Sequence, residues 1–200
     1  MGQSLTTVVS IVLGNNNISS PELQCALNIC CEADRPPQSE PVDIALVHRD
    51  VEDITRILEM QSPPHRELFN ILLRRSDQHL AQVAMFYRMK ADMDLDEGIR
   101  RTQSMRSMTR KIAAHAVRTA TNLAHRDAML LFKAMGSESI LRRGRDEMLA
   151  LRVCRMHWYR HHWREVRQVY LRLKGRQLVE KMSDKSGLLG DLMVAMTQVW

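Results

Sequence analysis

The segments "LVHRDVEDITRIL" (Leu46–Leu58) and "LAHRDAMLLFKAM" (Leu123–Met135) share a His-Arg-Asp triplet and the same apolar positions, so the chain repeats itself. Leu46, Val51, Ile54 and Ile57 correspond to Leu123, Ala128, Leu131 and Ala134. The next loop is six residues longer in the second copy, after which the match resumes without a gap. "HLAQVAMFYRMKADMDLDEGI" (His79–Ile99) runs against "HWREVRQVYLRLKGRQLVEKM" (His162–Met182). His79, Val83, Tyr87 and Leu95 thereby pair with His162, Val166, Tyr170 and Leu178. A unit of roughly 75–80 residues present in tandem is the signature of a repeat architecture.

Each unit divides into five short helices by its apolar spacing. Leu80, Val83 and Tyr87 fall at i, i+3 and i+7, as do Trp163, Val166 and Tyr170, so each helix has one buried stripe. Asp94 is placed to cap a short helix through Leu95–Ile99. Gly175 ends one helix, Ser186-Gly187 opens the last one (Leu188–Val199), and Pro63-Pro64 marks the first loop. Composition agrees: 44% of residues are apolar, only 4% aromatic and fourteen are methionine, which favours helices over sheets. The boundaries read as follows: residues 1–14 are the last helix of a preceding unit, 15–41 a polar linker, 42–120 one repeat and 121–200 the next.

No apolar stretch approaches the roughly 18 uncharged residues of a spanning helix. Twenty-nine basic against twenty-three acidic residues give +6, which favours anionic partners, either lipid headgroups or nucleic acid. Cys25, Cys30, Cys31 and Cys154 have no zinc spacing, and reduced thiols in a cytoplasmic chain are the expectation. The N-terminal "MGQSLT" matches the myristoylation pattern with Gly2 as acceptor, although one acyl chain anchors only marginally.

Several stretches together resemble the annexin family, especially its fungal members, over residues 42–200 and more loosely over 2–13. They are "RDAMLLFKAM" (Arg126–Met135), "LLRRSDQHLAQVAMFY" (Leu72–Tyr87), "RMHWYRHHWREVRQVY" (Arg155–Tyr170) and "KSGLLGDLMVAM" (Lys185–Met196). The resemblance implies an all-α fold: tandem five-helix annexin-like repeats forming a right-handed superhelical helical array. It also implies calcium-dependent peripheral binding to acidic phospholipid membranes from the cytoplasm. By the same analogy the chain corresponds to the C-terminal half of a four-repeat core. Apolar faces that the other half would cover are then expected to be exposed, open to self-association or a second chain.

The family builds its calcium site from a "GxGT" loop and a carboxylate about forty residues later, just after the "SG" that opens the last helix. Calcium takes six to eight oxygens and needs an anionic one among them. Neither unit meets that pattern. The second reads Gly136-Ser137-Glu138-Ser139, then Leu141-Arg142-Arg143-Gly144, with Leu188 at the carboxylate position. The first offers Gln61-Ser62-Pro63-Pro64, with Met105 at that position beside Ser104 and Arg106. Gly136 and Glu138 remain as weak calcium candidates, so Ca2+ is expected from the family but weak or absent here. Arg142, Arg143 and Arg145, joined by Lys185, form a loop cluster that either contacts acidic headgroups directly, stands as a solvated turn, or meets nucleic acid.

Three further patterns bear on function. Cys154, His157 and His161 fall at i, i+3 and i+7, one helical face with the spacing for three zinc ligands, but a packed histidine cluster is favoured. The two His-Arg-Asp triplets lie inside helices and lack the downstream asparagine of a kinase loop, so salt links by Arg49 and Arg126 are expected. Tyr87, Tyr170 and Trp163 read as core. "WYRHHWREVR" is the one stretch that interleaves aromatic and basic residues as a nucleic-acid surface requires. With no nucleophile–base pair, phosphate-cradling loop or paired carboxylates in view, no enzyme activity is expected. A scaffold that has lost lipid binding is the competing class, and a nucleic-acid binder is third.

Overall fold

A computed structural model describes residues 20–32, 35–135, 142–183 and 188–198. Within them every regular element is helical. The chain divides into two compact units, Met1–Thr121 and Asn122–Trp200.

The first unit opens with a helix that the sequence pattern did not anticipate. Within the supposed polar linker 15–41, α1 spans Pro21–Cys31. Its start is well signalled: Ser20 is the N-cap, its Oγ accepting from the Leu23 N–H at 3.4 Å, and Pro21 takes the first position. α1 packs against α3 (His65–Arg74) and α6 (Ser107–Thr121), burying Ala26 and Ile29. Past its end, Arg35 Nη2 donates to Asp77 Oδ1 at 2.6 Å, tying the linker to the start of α4 (Asp77–Ala91).

The five helices α2 to α6 then form the repeat. α2 (Ile44–Glu59) is capped by Asp43, whose Oδ1 accepts from the N–H groups of Ala45 at 2.9 Å and Leu46 at 3.2 Å. Its buried stripe is Val47, Val51, Ile54 and Ile57, one residue later at its head than the Leu46 of the sequence match. Leu46 is only half-buried, and Leu123 in the second unit is 42% exposed, because helical spacing aligns Val47 and Ala124 with the core side. α3 contributes Leu68, Phe69 and Leu72, and α4 contributes Leu80, Val83 and Tyr87. Each such side chain contributes on the order of 1.5–3 kcal/mol on full burial. α4 also leaves Met85 and Met89 exposed on its other side. α5 (Leu95–Arg101) begins at Asp94, which makes no side-chain cap. Its backbone carbonyl instead accepts from the Glu97 and Gly98 N–H groups, while its carboxylate lies 3.6 Å from Arg88 Nε.

The second unit repeats the order with α7 (Leu123–Met135), α8 (Arg142–His157), α9 (Arg160–Lys174), α10 (Leu178–Ser183) and α11 (Leu188–Gln198). Ala124, Ala128, Leu131 and Ala134 of α7 meet Leu149, Val153 and Met156 of α8, with Trp163, Val166 and Tyr170 of α9 between. Gly175 closes α9 in the left-handed region at φ 63, as the sequence suggests. Among the described residues no helix is long and apolar enough to cross a membrane. The segment 1–14, the acceptor Gly2 and the Ser186-Gly187 pair lie outside the described residues.

Candidate functional site

In the first unit the two turns at the expected cation site are bound to each other. Met60–Pro64 joins α2 to α3, and Thr102–Arg106 joins α5 to α6. Ser104 Oγ donates to the Met60 carbonyl at 2.9 Å, bridging one turn directly to the other. Thr102 Oγ1 donates back to Gly98 O at 3.0 Å, and the Met105 N–H donates to Thr102 O at 3.3 Å. Met105, at the position of the family's carboxylate, is buried in the core. Neither turn contains an aspartate or a glutamate.

The carboxylate nearest in this network comes from α1. Glu22 is buried and receives two bonds, from Ser20 Oγ at 2.6 Å and from Arg106 Nη1 at 2.8 Å. The Ser20 hydroxyl first, and then Arg106, hold its carboxyl down at about 2. Arg106 is thereby tied to α1 rather than to the turn it belongs to. No sequence pattern links Glu22 to Arg106, 84 residues on.

In the second unit, Gly136, Glu138 and Lys185 lie outside the described residues. Arg142, Arg143 and Arg145 do not belong to a loop: they form the opening of α8. Ser139-Ile140-Leu141-Arg142 has no strong start signal, so the sequence alone extends the loop too far. The first turn of α8 holds no acidic residue, an uncommon choice at the positive end of a helix.

A polar pair, buried in the first unit and part-buried in the second, recurs. Asp50 on α2 accepts from His79 Nε2 at 2.8 Å and from Arg75 Nε at 2.7 Å and Nη2 at 3.2 Å. Asp127 on α7 lies 2.8 Å from His162 Nε2 and accepts from Arg126 Nε at 2.7 Å. The sequence match carries both the aspartates and the histidines, but nothing in it says that they meet. Arg126 is salt-linked as expected; Arg49 is exposed.

The possible zinc face does not form. The helix ends at His157 and a new one begins at Arg160, so Cys154 and His157 do not share a continuous face with His161. His157 Nδ1 lies 3.1 Å from Met196 O, while His161 Nδ1 lies 3.4 Å from Glu165. Among the described residues no cluster of three metal-ligating side chains is present. Tyr87, Tyr170 and Trp163 are core, as read from their spacing.

No protein-family model matches the sequence, and no curated protein does. In three dimensions the chain is similar to a mutant of annexin A8 with TM-score 0.73 and 21% identity, covering 90% of this chain and 54% of that one. It is similar to chicken annexin V with TM-score 0.69 and 22% identity, covering 90% and 55%. Calcium-bound annexin (Sm)1 follows with TM-score 0.68 and 16% identity, covering 90% and 51%. The chain thus spans about half the length of these solved structures. Its all-α arrangement of five-helix units is an annexin-like fold.

Proposed function

We propose that this chain binds acidic phospholipid surfaces peripherally, on the cytoplasmic side, through arginines at the start of α8 rather than through a calcium bridge. The annexin-like fold supports the membrane role, since annexins are known for calcium-dependent phospholipid binding. The observation that carries the reading is the opening of α8, where Arg142, Arg143 and Arg145 stand with no acidic residue in the first turn. A helix N-terminus favours an anion, since its first N–H groups have no partner within the helix. A phosphate or carboxylate headgroup arriving there is met by the backbone and by guanidinium groups, which bind such anions in bidentate fashion.

Calcium is present in the annexin (Sm)1 structure by its own description. In the first unit of this chain the donor set does not suit it. The turns supply no carboxylate, the Met60 carbonyl already accepts from Ser104, and Glu22 is committed to Ser20 and Arg106. Neutral oxygens without an anionic partner do not outcompete water for calcium. In the second unit Glu138 is the sole acid between α7 and α8, and Gly136 the other candidate ligand. Three arginines close behind them oppose a divalent cation.

Each basic side chain near an acidic surface contributes about 1 kcal/mol. Arg142, Arg143, Arg145 and Lys185 together therefore give weak, salt-sensitive attachment. Replacing the three arginines by alanine is expected to abolish sedimentation with acidic vesicles in chelator, while Glu138→Gln leaves it intact. Loss of binding in Glu138→Gln alone overturns the arginine reading in favour of a metal site.

A further inference from the structure

We propose that the corner between α8 and α9, together with the exposed side of α9, binds single-stranded nucleic acid. The charge of the chain points there first. Residues 155–176 hold seven basic side chains and one acidic one, out of 29 and 23 in all. The remainder of the chain balances at 22 of each, so the whole excess of +6 resides in this run. A basic run centred on one helix is the electrostatic footprint of a polyanion site.

The aromatic residues of the same run divide into two classes. Trp163 and Tyr170 are buried at 0% and 2%, whereas Trp158 and Tyr159 are 79% and 67% exposed. These two adjacent rings occupy the break between the helices, where neither element offers them a core. The His157 ring meets Trp158 edge-on with centroids 5.2 Å apart, holding one side of it and leaving the rest to solvent. Exposed aromatic rings beside Arg155 and Arg160 are what unpaired bases stack on, whatever their sequence.

The path for the backbone continues along α9. At 3.6 residues per turn, Arg160, Arg164 and Arg167 fall within an arc of about 60°. That arc borders the buried stripe of Trp163, Val166 and Tyr170: Arg160 and Arg164 are exposed and Arg167 is half-buried at its edge. Arg164 and Arg167, with Gln168 and Leu171, line an open cleft of about 280 Å³ together with Gln177 and with Leu178 of α10. Glu165 is the sole acid of the run, and it lies 3.4 Å from His161.

A bilayer is the other polyanion to consider, and the geometry favours it less. The corner lies at the far end of α8 from Arg142, about 22 Å away along the axis at 1.5 Å per residue. A flat surface pressed against the start of α8 does not reach it. The basic groups on this side of α9 also run along the helix for about 10 Å from Arg160 to Arg167, tracing a line rather than a tip.

The test is fluorescence anisotropy of a labelled mixed-sequence single strand of 20 nucleotides titrated with the full chain. Duplex of the same sequence and phosphatidylserine vesicles serve as separate arms. The single strand is expected to bind more tightly than duplex, with affinity falling as salt rises. Trp158→Ala and Tyr159→Ala are each expected to weaken it about fivefold or more. Arg164→Ala is expected to lower the salt slope by about 0.7, the share of one phosphate on a single strand. Both rings stand in solvent, so circular dichroism and melting temperature should be unchanged; quenching of tryptophan fluorescence by the oligonucleotide provides a readout without ring deletion. Absence of binding in low salt overturns the proposal, as does binding that the two aromatic variants leave unchanged. Vesicle binding lost in those variants while oligonucleotide binding persists assigns the corner to a membrane instead and equally overturns it.

Discussion

Asp50 on α2 and His79 on α4 lie 2.8 Å apart inside the first unit, and Asp127 with His162 reproduces the pair at the same distance in the second. Each joins the first helix of its five-helix repeat to the third. Asp50 is 2% exposed and has Arg75 on both its oxygens, so removing it strands the buried His79 donor and the half-buried Arg75 guanidinium. Asp50→Ala is therefore expected to cost about 3–5 kcal/mol, read as a lowered urea midpoint. Arg49→Ala, one residue away on the exposed side, should stay within about 0.5 kcal/mol.

These pairs mark how far the sequence is legible. The repeat, the five helices of each repeat and the stripes through Val83–Tyr87 and Val166–Tyr170 follow from spacing alone, because a helix forces every third or fourth residue onto one side. Contacts across the fold do not. His79 and Asp50 each recur in the alignment, yet 29 residues separate them, and only packing brings them together. The α1 helix was legible in Ser20-Pro21-Glu22 as a cap, a first-turn proline and an early acid, but cysteines and asparagines around it masked the pattern. The arginines of α8 were misplaced for a related reason: the residues just before Arg142 read Ser139-Ile140-Leu141, with no proline or early acid to mark a helix start.

Gly98 faces Tyr87 so closely that a Cβ there would stand 2.5 Å from the phenol oxygen. Alanine in α5 would otherwise gain about 1 kcal/mol in helix propensity. The clash outweighs that gain, and Gly98→Ala is expected to destabilise by about 1–3 kcal/mol. Tyr87→Phe removes the oxygen, so the double variant should recover most of the loss. Additive destabilisation in a double-mutant cycle would show that the contact is not the cause.

Glu22 gives the first unit a signature at acid pH. Its carboxyl is held at about 2 in the folded chain by Ser20 and Arg106, well below its ordinary value of 4.5. The stabilisation is thus full above the unfolded value and is lost as pH falls from about 4.5 toward 2. Glu22→Gln should flatten that part of the stability profile, and Arg106→Ala should raise the midpoint of the Glu22 titration measured by NMR.

Trp163 is fully buried, and its indole Nε1 has no hydrogen-bond partner among the described residues. A stranded donor costs about 1–3 kcal/mol. Trp163→Phe discards that donor along with some packing, so its net cost should be under about 1.5 kcal/mol. Trp163→Ala empties the site and should cost about 3–5 kcal/mol.

The account turns on an acidic surface being met by arginine rather than by a metal bridge. Co-sedimentation of the full chain with phosphatidylserine vesicles at low salt, once in calcium and once in chelator, tests this directly. Equal binding in both, falling together as salt is raised over the range where the Debye length shrinks from about 30 Å to 8 Å, is the expected result. Binding that appears in calcium and vanishes in chelator contradicts it.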